Sequence, residues 1–322
     1  MKAILCRAYG SIDDLSYAEV ADPVAAADGV VIRAEAIGAN FPDGLLVQGL
    51  YQLKPGLPFI PGMEVVGTVE AAGEKVSHVR PGDRVAGLVA IGGYAEKVAV
   101  AASSTMPVPD GADAGEVTAL ICGYGTAHYA LKQRAGLKPG ETLAVTGAAG
   151  LTGLAAIQIG KAMGARVIAI ASSAEKRRLC LENGADEALG YDDLKDTLKA
   201  ATGGKGADVI FDVAGGAVFD ACSRAVAWNG RLLVIGFASG TIPKFPVNLA
   251  LVKGYSVVGV FWGDFTRREP AVFADNMREL FGWYASGTVK PVVEKTYPLE
   301  RAADALNHIH GRKATGKIVL KP

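Results

Sequence analysis

The chain lacks an excess of charge of either sign. Its 322 residues carry 33 Lys and Arg against 33 Asp and Glu. A nucleic acid or an anionic membrane surface draws its partner through a basic surplus, and none is available here, so both are excluded as partners. Cysteine is scarce as well. Cys6, Cys122, Cys180 and Cys222 stand far apart, with no C-x-x-C pair. This excludes a disulfide framework and reads as a reduced, cytoplasmic chain. No apolar run reaches the roughly 20 residues of a membrane span. The run Met1–Cys6 is too short for a signal peptide and reads as a first strand. There is no tandem repeat and no low-complexity segment. Half of the residues are hydrophobic, and the length suits two domains better than one.

What is present centres on Val145-Thr146-Gly147-Ala148-Ala149-Gly150-Leu151-Thr152-Gly153. A short apolar run precedes it and a stretch of helix formers, Leu154–Met163, follows. Gly147, Gly150 and Gly153 therefore fall in a turn between a strand and a helix. A dinucleotide needs glycines there for a tight turn, for backbone N–H groups to reach its pyrophosphate, and for close packing of helix on sheet. Ala149, Gly150, Leu151 and Thr152 are the candidate phosphate contacts. The spacing is G-x-x-G-x-x-G, so a ligand-free Gly/Ala-rich turn is the competing reading. The second strand, Arg166–Ala171, ends without the Asp or Glu that would hold a ribose 2′-hydroxyl. Ser172, Ser173 and Lys176 follow instead, which favours the 2′-phosphate of NADPH. The same residues also read as a helix start, with Ser172 as N-cap, Glu175 three residues on, and a solvated cationic face.

The first third of the chain is strand-like and rich in turns. Val30–Ile37, Val65–Glu70, Arg84–Val89 and Tyr94–Val100 are each bounded by turn residues, which predicts a compact β-rich domain. From about residue 117 helices and strands alternate. Strands are expected at Leu143–Thr146, Arg166–Ala171, Asp208–Val213, Arg231–Gly236 and Ser256–Phe261, with a helix Glu175–Asn183 closed by Gly184. Such alternation predicts an α/β, doubly wound parallel sheet. An amphipathic helix about Pro270–Ala285, a strand Val292–Tyr297, a helix Leu299–His310 and a strand Lys317–Leu320 complete the order. The last strand is expected to return to the first domain.

Six stretches then occur in one order: Asn40-Phe41-Pro42-Asp43, Gly49-Leu50-Tyr51, Leu57–Glu64, Pro81–Val85, Gly147–Gly153 and Ala314–Val319. On these the whole chain resembles the zinc-independent quinone oxidoreductase (zeta-crystallin-like) branch of the medium-chain dehydrogenase/reductase superfamily. The resemblance implies a GroES-like catalytic domain, here 1–117 with 263–322, and a Rossmann NADPH-binding domain, 118–262, with the cofactor in the cleft between them. It also implies a homodimer formed through the edge strand near Ser256–Phe261.

Metal chemistry separates this branch from the zinc alcohol dehydrogenases, which need three ligands around an open position. No Cys lies in Ala39–Asp43, and Met63 stands where their His ligand would be. A thioether alone is a poor zinc donor. Only Cys122 occupies a ligand position, and it reads as a small buried residue; the lobe of four cysteines is missing. His308 and His310 read as surface helix residues.

Without zinc, the chemistry suits a quinone or an activated alkene. Such an acceptor takes hydride at its electron-poor carbon while charge builds on its carbonyl oxygen. Tyr51 and Asn40 are the candidate donors to that oxygen. Tyr51 stands in Gln48-Gly49-Leu50-Tyr51, similar to the setting of the tyrosine in 2-enoyl thioester reductases. The alternatives are that Tyr51 packs in a loop and that Asn40 supports a turn. Leu45 and Val47 replace a Tyr and an Arg usual in the family, which makes the pocket more apolar. By position in the family, Asn40, Thr126, Tyr191, Phe237, Ala238, Val260, Phe261, Trp262 and Lys317 would also contact NADPH, Tyr191 near the 2′-phosphate and Lys317 on the phosphate side. Phe261 and Trp262 equally suit interface or core packing. Two other functions stay open. One is a 2-enoyl-thioester reductase that guides a coenzyme A or carrier-protein arm with Arg267 and Arg268. The other is a non-catalytic, crystallin-like NADPH-binding protein.

Overall fold

The computed structural model describes all 322 residues, Met1–Pro322. They divide into two units, Met1–Cys122 with Pro291–Pro322, and Gly123–Lys290.

In the first unit, the runs of β-branched residues and alanine that marked strands in the sequence build one mixed sheet. Its order is Val293–Pro298, Lys317–Lys321, Gly29–Ala39, Glu64–Ala72, Arg84–Leu88 and Thr105–Pro107, and Lys97–Ala101 also pairs with Gly29–Ala39. The first two strands run parallel and the other neighbours antiparallel. Lys317–Lys321 pairs with Ile37–Ala39, so the end of the chain does return to the first domain. A separate two-stranded ladder joins Lys2–Leu5 to Ser16–Glu19. Ile32, Ile37, Val65, Val85, Ile318 and Leu320 are buried from these strands into one apolar core.

The strand Glu64–Ala72 pairs antiparallel with Gly29–Ala39, and Gly67 lies opposite Ala34. The pairing register shifts on either side of this position, and a methyl group at Gly67 would run into the carbonyl oxygen of Arg33. Glycine thus sets the distance between the two longest strands of the sheet here.

The second unit is a six-stranded parallel sheet, ordered Glu187–Leu189, Arg166–Ile170, Thr142–Thr146, Ala207–Asp212, Val226–Val234 and Ser256–Gly259. In chain order this is 3-2-1-4-5-6, the doubly wound arrangement. Five of these strands were expected. The sixth, Glu187–Leu189, has only three residues, too few to show a period. The helix expected at Glu175–Asn183 is Ala174–Glu182, and its N-cap is Ser173, not Ser172. Gly184 follows it with φ +101°, a conformation that suits glycine.

The domain boundary also moves. Residues 118–122 belong to the first unit, and 263–290 to the second rather than the first. Side chains of the helix Pro270–Ala285 explain the second shift. Glu279 accepts from His128 Nε2 at 2.9 Å, Asn276 Oδ1 accepts from Gln133 at 2.8 Å, and Trp283 packs edge-on against the His128 ring. The amphipathic face was legible in the sequence, but its partner was not.

Gly67→Ala should lower the unfolding free energy by about 2 kcal/mol or more, because backbone rather than a mobile side chain must yield. Urea unfolding checks this; a loss under about 0.5 kcal/mol would show that the strand pair is slack at Gly67.

Candidate active site

The first unit gathers its polar side chains at one buried place. The strand Gly29–Ala39 ends at Asn40, and the helix Phe41–Val47 begins there with Pro42 in its first turn. Asp43, at the third helical position, reaches back to accept from Asn40 N at 2.8 Å. This is half of a capping box. Tyr94 donates to the same Asp43 oxygen at 2.8 Å.

Asn40 itself faces the neighbouring strands. Its Nδ2 donates to Glu64 Oε1 at 2.8 Å, and its Oδ1 accepts from Lys317 Nζ at 3.0 Å. Lys317 also pairs directly with Glu64, and both side chains are fully buried. The other Glu64 oxygen accepts from Cys122 N at 2.9 Å. Room for the pair exists because residue 38 is glycine: a methyl group there would sit 2.5 Å from Lys317 Nζ and collide with Glu64. Beside Glu64, Cys122 Sγ lies 3.3 Å from Met63 Sδ.

Tyr51 stands apart from this network. It is half-buried, packs against the core of the unit and makes no side-chain hydrogen bond within the protein. Burial, with the charge of Asp43 adding to it, raises the pKa of its phenol above the ordinary value, so the hydroxyl stays protonated. Burial also pushes the Asp43 carboxyl up to about 7. The Cys122 thiol rises well above its ordinary value through burial and the Glu64 charge.

Several expected roles change here. Lys317 cannot reach a cofactor phosphate, because its ammonium is buried against Glu64, Asn40 and the carbonyl of Ala39. The Asn40 amide is held in the same network by Glu64 and Lys317. Cys122 keeps partial exposure. His310 is no surface residue: its ring stacks on Phe41 at 4.3 Å, and its Nε2 meets the Phe41 carbonyl at 3.0 Å. His308 is partly buried against Glu294. The sequence signal for the network was there, as a Glu beside Met63 and a Lys in the last strand, but only pairing of those strands makes it a site.

In the second unit the glycine turn lies where the strand order reverses, between Thr142–Thr146 and Ala207–Asp212. Gly147 has φ +57°. A methyl group at Gly153 would lie 2.5 Å from Gly147 O and 2.6 Å from Ala148 Cα, so helix and turn touch backbone to backbone. The helix Leu151–Ala162 has Gly150 as N-cap and no side-chain cap. Its first N–H groups are left for a ligand or water. At Gly150 a methyl group would meet nothing closer than 3.5 Å, so the approach is open. Ala149 is buried, while Leu151 and Thr152 keep partial exposure.

Asp212, which the sequence reading missed, ties the sheet end together. It accepts from Thr146 Oγ1 at 2.5 Å, Ala214 N at 3.2 Å and Gly215 N at 3.1 Å, and burial raises its pKa. Phe237 and Ala238 come to the same end, since Ala238 N donates to Val213 O at 2.9 Å. Val260 N donates to Val234 O at 3.1 Å. Tyr191 binds the turn itself, its hydroxyl accepting from Gly147 N at 3.0 Å. Ser172 and Ser173 are exposed, and Ser173 caps its helix by accepting from Lys176 N.

Trp262 is 7% exposed. It packs on Gly125 and edge-on against Phe273, so it is a core residue. Phe261 is 51% exposed, and Thr126 is half-buried in the helix Gly125–Tyr129. Arg267 and Arg268 both pair with Asp264, and both remain largely exposed.

Residues 26–110 match the alcohol dehydrogenase GroES-like domain, and 152–280 the zinc-binding dehydrogenase family. The chain is 40% identical over 286 residues to quinone oxidoreductase-like protein 2 of Rattus norvegicus, covering 88% of this chain and 82% of that one. It is 34% identical over 325 residues to the quinone oxidoreductase of Homo sapiens, covering 99% and 97%. The Escherichia coli quinone oxidoreductase, solved in complex with NADPH, superposes with a TM-score of 0.94 at 29% identity over 100% of both chains.

Two outcomes follow from the buried network. Lys317→Met should destabilise the protein by about 3–5 kcal/mol, since it strands a buried carboxylate. Combining it with Glu64→Gln should recover part of that loss in urea unfolding; strictly additive losses would mean that the two side chains do not interact. The second concerns pH. Folding raises the Asp43 pKa from 3.8 to about 7, so the folded chain keeps a proton the unfolded chain releases. The Asp43 contribution is full below pH ~4, falls as pH rises to about 7, and is constant above. Asp43→Asn retains one oxygen for both donors, and its stability relative to wild type should rise between those limits. A pH-independent difference would place the Asp43 pKa near its ordinary value.

Proposed function

Because the chain belongs to the quinone oxidoreductase (zeta-crystallin-like) branch of the medium-chain dehydrogenase/reductase superfamily, we propose that it is an NADPH-dependent oxidoreductase that reduces a quinone or an activated alkene without zinc. The observation that carries this is Tyr51: a protonated, half-buried phenol with no partner of its own, beside a buried network whose charges are already paired.

The second unit suits a dinucleotide. The uncapped helix Leu151–Ala162, the open approach at Gly150 and the backbone contact at Gly153 leave N–H groups for a pyrophosphate. Tyr191 and Asp212 hold the turn from either side. Ser172, Ser173 and Lys176 offer hydroxyls and a cation to a 2′-phosphate, and the strand Arg166–Ile170 ends without an Asp or Glu. Thr126, Phe237, Ala238, Val260 and Phe261 complete the proposed contacts. NADPH, when bound, supplies a hydride.

The residues of the first unit then act on the acceptor. Tyr51 donates its proton to the carbonyl oxygen as charge develops there. Asn40 acts one step removed: it ties the start of the helix Phe41–Val47 to Glu64 and Lys317, and so fixes the segment leading to Tyr51. Zinc independence rests on the chemistry of the donors. Glu64 is committed to Lys317 and Cys122 N, the Cys122 thiol is held protonated, and Met63 is a weak zinc donor. No three His, Cys, Asp or Glu side chains converge as ligands.

We place the enzyme in the cytoplasm, where its four free cysteines would stay reduced. A homodimer through the edge strand Ser256–Gly259 is supported by one open side of that strand and by exposed Leu251 and Val252 nearby.

NADPH oxidation by benzoquinone, phenanthrenequinone, cyclohexenone, octenone and crotonyl-CoA, each repeated with NADH, tests the reading. Turnover is expected with quinones or enones and with NADPH over NADH. Tyr51→Phe should slow enone reduction about a hundredfold. An unchanged rate would make Tyr51 a packing residue, and tight NADPH binding without any turnover would overturn the enzymatic function.

A further inference from the structure

The loop that carries Tyr51 continues into an apolar groove within the first unit. Leu5, Leu53, Pro58, Phe59, Ile60 and Ile91 line it. The cavity holds about 580 Å³, within the roughly 300–1,000 Å³ range of small-molecule sites. No titratable side chain lines it.

Three observations point to one occupant. Leu53, at 42% exposure, and Leu57, at 44%, stand in water on the loop after Tyr51, although exposed apolar side chains grouped on one segment mark contact surfaces. Ile60 and Ile91, in the groove, pack against the same apolar core as Tyr51. The tight chain path is fixed by backbone bonds, Gly92 N to Ile60 O at 2.8 Å and Phe59 N to Cys6 O at 3.1 Å, so the groove is preformed.

We propose that this groove binds an unbranched alkyl or prenyl tail on the acceptor, so that the preferred substrates are amphiphilic quinones or long-chain vinyl ketones rather than small polar ones. The inference rests on the function proposed above and names the substrate class of that site. The conjugated carbonyl lies at Tyr51, and the tail runs along Leu53, Pro58 and Ile91. The lining offers no hydrogen-bonding side chain to a polar substituent there, which would lose its water without compensation.

The test is a series of vinyl alkyl ketones from methyl to nonyl, reduced with NADPH. Each methylene buried should raise kcat/KM about fourfold, equivalent to ~0.8 kcal/mol, until the groove is filled. Leu53→Asp should flatten this dependence. Leu50→Asp, on the same loop at 70% exposure but outside the groove, should keep the wild-type slope. Turnover of short ketones with no gain along the series would overturn the groove and leave the proposed function standing. Equal flattening by both variants would also overturn it, as a general effect of charge on the loop. Failure of every ketone and quinone would overturn the function, and the groove assignment with it.

Discussion

The carboxylate of Glu64 and the ammonium of Lys317 are both buried, and isolated charges in that position would be prohibitively unfavourable. Their partners make it tolerable: Asn40 bridges both groups, and Cys122 N and the Ala39 carbonyl take the remaining capacity. These residues come from the ends of three strands and from the segment that leads into the second unit. The pair therefore ties the closing strand of the chain, Lys317–Lys321, to the sheet centre. It also fixes where the helix Phe41–Val47 starts, and with it the segment that leads to Tyr51.

The network divides the site into fixed and available groups. Glu64, Asn40 and Lys317 satisfy one another, and Asp43 accepts from Asn40 N and from the Tyr94 hydroxyl. Tyr51 is the one polar side chain beside them that keeps its hydroxyl open. A rigid, internally neutralised pair behind a single donor suits a reaction in which charge appears on one carbonyl oxygen and is met there. The second unit follows the same division. Thr146, Asp212 and Tyr191 lock the end of the sheet, and the first N–H groups of the helix Leu151–Ala162 are left open.

The fold was largely legible in the sequence because period and punctuation are local. Apolar runs of five or six residues between glycine turns gave the parallel strands, and Pro270–Ala285 showed its helical face. Glu187–Leu189 escaped because three residues carry no period. The cofactor turn was legible because its glycines answer a local steric demand, which Gly153 meets against Gly147 and Ala148. Lys317 and Trp262 were misplaced for a different reason. A lysine in a strand and a tryptophan after one are each compatible with solvent, ligand or core, and only the neighbouring chain decides which.

The sequence by itself determined a β-rich domain and a doubly wound α/β domain, the glycine turn, and the lack of a Cys or His at Ala39–Asp43 and at Met63, since all of these depend on residue type and on spacing along the chain. Only tertiary structure decided that Lys317 neutralises Glu64, that Asn40 is consumed in holding them, that Asp43 accepts from the Tyr94 hydroxyl, and that the helix Pro270–Ala285 belongs to the second unit. Those contacts join residues as many as 277 positions apart, and no local pattern carries the free energy of a pairing made across that distance.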